Sequence, residues 1–451
     1  MLNYSYYPFK NKLDNLNYTD LKGLEQVAEG WYIDYKRQGL KIIDYAKHIS
    51  GFANQYGGWL IIGIDESSNG KRTAEKFLGV SLDEVEKIST ELREAVSAHI
   101  NPEVLYEEKV FYGPSPEIGL DEDKAIVIVG IPMSHNTPHI HSSGRVYRRL
   151  ADQSKPKEEN DRYILDELWK RGEAKKRSVF EFLNKLPELP ASQSESQWAH
   201  IFIKPSESQL PPSKLLSFDE FSKFTTNIDR NIKCMYAPMQ SVSSTVDGFI
   251  ARQIHNNDPS LASLSIRWWH DGSVRFDIPL NNYSLEELVS SSKNEHASKF
   301  YNIAIDTGYK DLRVIDYSIF SAVLFSLVNV YLHILKLRGD KRDFYSSFNL
   351  KNIFYTLPYI DSLKFIERIK KLSIPLNTDK DISFPVEPSE RTMIKHSSPF
   401  YNGSDIVEED GFPNASIEFS IKLIYKLFNS IGIVNNIEDF VDDKSMLSVK
   451  N

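Results

Sequence analysis

The sequence predicts two consecutive α+β domains, a mixed α/β domain at the N-terminus and a separate α+β domain behind it. Three observations carry this. Helical and strand periodicities alternate between residues 18 and 148. The composition shifts over residues 173–197, where Lys- and Glu-rich helical sequence gives way to Pro187, Pro190 and the polar tract 191–197. A hairpin and three helical patterns then follow in the second half. A length of 451 residues also exceeds what one core usually organises. The expected boundaries are 1–172 for the first domain, 173–197 for a linker, 198–438 for the second domain and 439–451 for a tail.

The first helix is expected over 18–28, capped by Thr19, with Leu21, Leu24 and Val27 at helical spacing. Residues 30–36 alternate as a strand. Trp31, Ile33 and Tyr35 share one face, and Tyr32, Asp34 and Lys36 share the other. A helix over 40–54 presents Ile42, Ile43, Ala46, Ile49, Ser50 and Ala53 as one stripe. Gly57 and Gly58 supply the backbone freedom for the turn after it. Residues 59–64 form an almost continuous apolar run, as in a central strand buried on both faces, with Asp65 at its end. A polar loop at Asn69-Gly70 leads to an amphipathic helix over 82–99, stopped by Pro102. Strands are expected at 104–112, 124–131 and 146–148.

In the second half, another proline-rich loop, Leu210-Pro211-Pro212, is expected early. Leu264, Ile266 and Trp268 alternate on one arm of a hairpin and Val274, Phe276 and Ile278 on the other. A two-residue Asp271-Gly272 turn would place the two sets on opposite faces. A three-residue turn, His270-Asp271-Gly272, pairs Trp268 with Val274 and Ile266 with Phe276, giving one apolar face. Helices are expected over 316–337, 361–371 and 415–431. The stretch 317–335 has no Lys, Arg, Asp or Glu, but its Ser, Asn and His residues favour a buried core helix over a membrane span.

Composition sets limits on function. The net charge of −8 argues against a protein that coats nucleic acid non-specifically, and residues 1–180 carry 25 Lys and Arg against 28 Asp and Glu. Any polyanion must therefore meet a local basic patch. One cysteine, Cys234, excludes an internal disulfide and a multi-cysteine zinc site, and fits a reducing, cytoplasmic setting. The N-terminus lacks the basic start and apolar run of a signal peptide. No Gly-Lys-Ser/Thr loop follows a strand, so ATP hydrolysis is not expected. His135, His139 and His141 cluster, but without an acidic or cysteine partner nearby they read as packing residues. The acidic stretch 438–443 reads as a solvated tail.

One constellation carries chemistry. Glu29, Asp34 and Lys36 surround one strand and Asp65 ends another. If the strands are neighbours, three carboxylates and an ammonium converge. Carboxylate oxygens suit Mg²⁺ or Mn²⁺, which can polarise a phosphodiester and activate water. Taken bare, the same residues also fit the polar side of an edge strand.

The order of blocks is more specific. Glu29-x4-Asp34-Tyr35-Lys36 is followed by Ile49-Ser50-Gly51-Phe52-Ala53-Asn54-x2-Gly57-Gly58 and by Trp59 to Asp65. Asn101-Pro102, Ile131-Pro132, Pro138-His139 and Val146-Tyr147-Arg148-Arg149 continue it. Over about residues 23–155 this resembles the Schlafen AlbA-type (AlbA-2) domain family. The resemblance implies nucleic-acid engagement. It further implies a Mg²⁺- or Mn²⁺-dependent endoribonuclease, with Glu29, Asp34 and Asp65 as metal ligands and Lys36 beside them, suited to an effector of bacterial defence. Asp34 departs from the family's usual Glu, one methylene longer, and the cysteines of the vertebrate zinc site are absent. Phosphate contacts are expected from Lys36, Arg37, Arg145, Arg148 and Arg149, with RNA favoured over DNA. Because Schlafen cores hold two such lobes around a basic groove, a one-lobe chain is expected to homodimerise. The competing reading is a non-catalytic nucleic-acid-binding regulator whose second domain senses a ligand or assembles.

Overall fold

The computed structural model describes residues 4–11, 13–67, 71–150, 155–206, 215–226, 239–254, 261–292, 295–340, 342–385, 394–396 and 414–433. The loops at Asn69-Gly70 and 210–212, Cys234 and the tail from 438 onward lie outside them. The architecture is α+β throughout. The chain divides into two compact units after Ser178.

The first unit runs through α1 (Tyr18–Lys22), β1 (Ile33–Lys36), α2 (Ile42–Asn54), β2 (Gly57–Ile62), β3 (Asp65–Glu66), β4 (Ala74–Lys76), β5 (Val80–Ser81) and α3 (Leu82–His99). It continues with β6 (Ile100–Asn101), β7 (Glu107–Tyr112), β8 (Lys124–Pro132), β9 (Ile140–His141), β10 (Tyr147–Arg148), β11 (Lys157–Glu158) and α4 (Arg162–Asn184). The division after Ser178 falls inside α4. The helix expected over 18–28 is shorter than its periodicity implied: α1 tightens into a 3₁₀ turn at Gly23–Gln26. Its cap is Asn17, not Thr19. The Asn17 side chain accepts from the Asp20 amide, and the Asp20 carboxylate accepts from the Asn17 amide.

The central sheet has β1 parallel to β2, β2 antiparallel to β8, and β8 paired with both β7 and β5. Strand periodicity sorts its two faces. Leu60 and Ile62 join Val127 and Val129 against Tyr45, Ile49 and Phe52 of α2 and Ile88 and Leu92 of α3. Ile33, Tyr35, Trp59 and Ile61 face the other way, packing with Phe9, Leu21, Leu24 and Ile128. Asp34 therefore leaves β1 on the side that α2 covers.

Gly57 fixes the entry into β2. Its φ is +72°, and a Cβ there would fall 2.5 Å from the Met133 amide nitrogen and 2.6 Å from the Ile131 carbonyl oxygen. Both are backbone atoms of the neighbouring strand and cannot swing away. Gly57→Ala is therefore expected to cost the unit more than about 1 kcal/mol, read as a lower midpoint in thermal or urea unfolding.

The second unit contains β12 (Trp198–Pro205), α5 (Phe218–Thr226), β13 (Ser241–Thr245), β14 (Gly248–Arg252), β15 (Ser265–Trp269), β16 (Val274–Pro279) and β17 (Asn282–Tyr283). Then come α6 (Leu285–Ser291), α7 (His296–Asp306), β18 (Arg313–Asp316), α8 (Tyr317–Leu337), β19 (Phe344–Lys351) and β20 (Thr356–Tyr359). The last elements are α9 (Leu363–Leu372), β21 (Ile382–Phe384), β22 (Ile394–His396) and α10 (Asn414–Ser430). An antiparallel sheet orders β13-β14-β15-β16-β12-β19-β21, with β22 also on β19, and β17, β18 and β20 form a smaller sheet. The β15–β16 hairpin has the expected register, Trp268 opposite Val274 and Ile266 opposite Phe276, and Gly272 takes φ +86° in its turn. Helix α8 is long and apolar enough to cross a membrane, yet 78% of its most apolar stretch is buried within the protein. Leu324, Val328, Tyr331 and Leu335 join Phe276, Phe344, Leu423 and Leu427 in one core.

Candidate functional site

The site forms where β1 passes beneath α2 and the chain after β10 returns to it. Asp34 is fully buried, a position that strand alternation and the α2 cover impose. Its Oδ1 accepts from the Lys36 ammonium, and its Oδ2 lies 2.6 Å from His48 Nδ1 and 3.3 Å from an Arg149 nitrogen. Glu29, also buried, sits just before β1. Its Oε1 accepts from the Tyr35 amide at 3.3 Å and lies 3.6 Å from Arg149 and 3.9 Å from Lys36. Its Oε2 meets the Arg72 guanidinium, which also reaches Glu66 at 3.5 Å.

Arg149 closes the network from inside. It has no exposed surface; it donates to the Gly30 carbonyl at 3.0 Å and the Ile33 carbonyl at 3.2 Å, and lies 5.7 Å above the Phe52 ring. Arg72 holds Glu29 twice, since its carbonyl oxygen accepts from the Glu29 amide at 2.8 Å. It does so with φ at +52°, an uncommon conformation for a residue with a side chain.

Protonation follows from this packing. Burial, then the hydrogen bond and charge of Asp34, push the Glu29 carboxyl up to about 8. Burial alone would raise Asp34 as well, but His48, Glu29 and Arg149 together hold it far below the usual carboxylate range. Burial lowers His48, outweighing the pull of Asp34, so its ring is neutral at physiological pH. Near neutrality, three cations thus surround one ionised buried carboxylate, with Glu66 at the rim.

Three expected site residues, Glu29, Asp34 and Lys36, come together. Asp65 lies in β3, just past the end of β2 and opposite Lys76 of β4. The chain bends between β2 and β3 but stays hydrogen-bonded to β1. Gly63 has φ +101°, and the amides of Gly63 and Ile64 both donate to the Lys36 carbonyl. Arg149, expected at a phosphate, is instead wholly internal and serves as counter-ion.

The other expected phosphate contacts lie outside the core. Arg37 is exposed. Arg145 pairs with Glu158 at 2.9 Å in an exposed position, and the largely buried Arg148 pairs with Glu159 at 3.2 Å. Sequence reasoning missed His48 and Arg72. His48 had a signal, because it stands three residues after Tyr45 and four before Phe52, on the buried stripe of α2 where a polar side chain needs a reason. Arg72 had none.

Among the histidines, His139 is buried and its backbone is clamped by Asn54, which accepts from the His139 amide at 2.7 Å and donates to its carbonyl at 2.9 Å. Its Nδ1 lies 2.6 Å from the Pro102 carbonyl, and His141 Nδ1 is bound to Ser143. Among the described residues no group of three or more His, Cys, Asp or Glu is arranged to hold a metal ion.

Residues 29–158 match the family model described as Schlafen, AlbA_2, so the N-terminal unit carries a Schlafen AlbA_2 domain. Among solved structures, the N-terminal domain of a RecG-related protein from Nitrosomonas europaea is similar at 19% identity and a TM-score of 0.22, over 32% of this chain and 89% of that one. A protein from Corynebacterium diphtheriae is similar at 14% identity and a TM-score of 0.21, over 71% of this chain and 77% of that one. No curated protein matches the chain.

Proposed function

We propose that the N-terminal unit is a nucleic-acid-binding module in which the Glu29–Asp34 pair organises a cluster of cations. One observation carries this reading: every carboxylate oxygen of Glu29 and Asp34 already faces a nitrogen of Lys36, Arg72, Arg149, His48 or the Tyr35 amide. A hard divalent cation needs those oxygens as ligands. Surrounded by positive charge, the Glu29 and Asp34 oxygens do not fit a Mg²⁺ or Mn²⁺ site. A net positive cluster suits a phosphate instead.

The domain as a whole has no basic surplus, so affinity must come from local contacts that salt can titrate. Reversing two exposed cations together, Arg37→Glu with Arg145→Glu, is expected to weaken binding and to flatten its salt dependence. On a single strand the slope of log K against log salt should fall by about 1.4, from two contacts at roughly 0.7 each. Fluorescence anisotropy from 50 to 300 mM salt measures it; an unchanged slope removes these two residues from the interface.

The same panel, run on RNA and DNA with Mg²⁺ and with Mn²⁺, tests the endoribonuclease reading. Metal-dependent cleavage abolished by Glu29→Gln would replace binding as the function. Light scattering on the complex tests whether a second copy completes the groove.

A further inference from the structure

We propose that Tyr6, Trp31, Tyr32 and Tyr56 form a stacking platform for unpaired nucleobases, an inference that rests on the nucleic-acid-binding reading above. The platform stands at the N-terminal ends of β1 and β2. Parallel pairing of Ile33 with Trp59 brings residues 31 and 32 alongside the turn at 56–58. Tyr6 stacks on Tyr32 at 5.4 Å between ring centroids, Tyr32 lies 6.1 Å from Tyr56, and Trp31 meets Tyr56 edge-on at 5.9 Å.

These rings are not stray hydrophobics. Trp31, Tyr6 and Tyr56 are 37%, 38% and 42% exposed at one spot, so three large aromatics together leave open surface there. They are also held in place from below. Ser5 Oγ donates to the Tyr56 carbonyl at 2.7 Å, and Trp59 Nε1 donates to the Tyr6 carbonyl at 3.0 Å. At Gly58 a Cβ would fall 2.6 Å from the Tyr32 carbonyl oxygen, so only glycine lets the two segments approach this closely. The cluster is anchored through its backbone while its rings face solvent.

The chemistry favours a base over other flat or apolar partners. Ring faces with hydroxyl tips accept any base by stacking, without reading its edge. Arg171, whose NH1 donates to the carbonyls of Asn54, Gln55 and Ser134, places a guanidinium charge beside Tyr56, where an anionic backbone linking stacked bases would run. In a duplex the base faces are already stacked inside, so the platform takes single strands, loops or ends.

The test uses the full chain and fluorescein-labelled 12-nucleotide probes: oligouridylate, oligothymidylate, an abasic deoxy strand and a duplex. Oligouridylate and oligothymidylate should bind at least about tenfold more tightly than the abasic strand. Trp31→Ala and Tyr56→Ala should each lose about tenfold on the base-bearing strands and nothing on the abasic one, whereas Tyr56→Phe keeps wild-type affinity. Circular dichroism melts check that these surface variants stay folded, and the abasic comparison needs no variant. Equal affinity for abasic and base-bearing strands, or Ala variants that bind as wild type, would overturn the platform while leaving phosphate-mediated binding in place. Wild-type protein that binds no probe at any salt overturns the underlying reading, and the platform with it.

Discussion

An Arg149→Met chain is expected to lose about 3–5 kcal/mol in the unfolding of its N-terminal unit. Methionine fills much of the volume, so the loss is not chiefly a cavity. It arises because Asp34, which has no exposed surface, would keep its charge without its internal counter-ion. The Gly30 and Ile33 carbonyls would lose their donors in the same step. Arg149→Lys should recover little, since a single ammonium cannot reach two carbonyls and two carboxylates at once. Adding Asp34→Asn to Arg149→Met removes the stranded charge and should restore part of the loss. Urea melts followed by circular dichroism measure all three. If Arg149→Met melts as the parent does, the guanidinium is not the anchor described here.

The second large effect is on pH. Glu29 takes up its proton in the folded chain up to about pH 8, well above the range of an unfolded glutamate. Between about pH 4.5 and pH 8 the native state binds a proton that the unfolded state lacks, so stability falls as pH rises, by up to about 1.4 kcal/mol per unit. The contribution is fully present below that window and gone above it. Asp34 acts in the opposite sense: its depressed pKa stabilises the fold above the usual aspartate range, and that gain is lost as acid protonates it. From these two groups alone the unit is most stable in mildly acidic solution. Glu29→Gln keeps the shape without the titration, so its stability should stay level from pH 5 to 8 while the parent declines. Parallel slopes in the two proteins would refute the assignment.

Much of the frame was legible because it rests on local rules. The α3 boundaries, the β2 run and the β15–β16 register follow from periodicity, a proline stop and turn geometry. Asp34 and Lys36 were legible for the same reason, being placed by one strand's alternation. The rest depends on contacts between distant parts of the chain. Nothing near Arg149 in sequence shows that it will meet Gly30, 119 residues earlier, in a dry interior. The N-cap at Asn17 shows a milder form, since Asn and Thr are both capable caps and only the return bond from Asp20 decides between them.

Helix α8 has a consequence for the order of synthesis. Its twenty-one residues leave the ribosome before β19, β20 and α10, whose Phe344, Leu357, Leu423 and Leu427 share its core. Until the chain has been made as far as Leu427, an apolar segment as long as a bilayer is thick lacks part of its cover. A chain cut before residue 414 would leave α8 without Leu423 and Leu427 and is expected to aggregate, which sedimentation of the truncated protein measures.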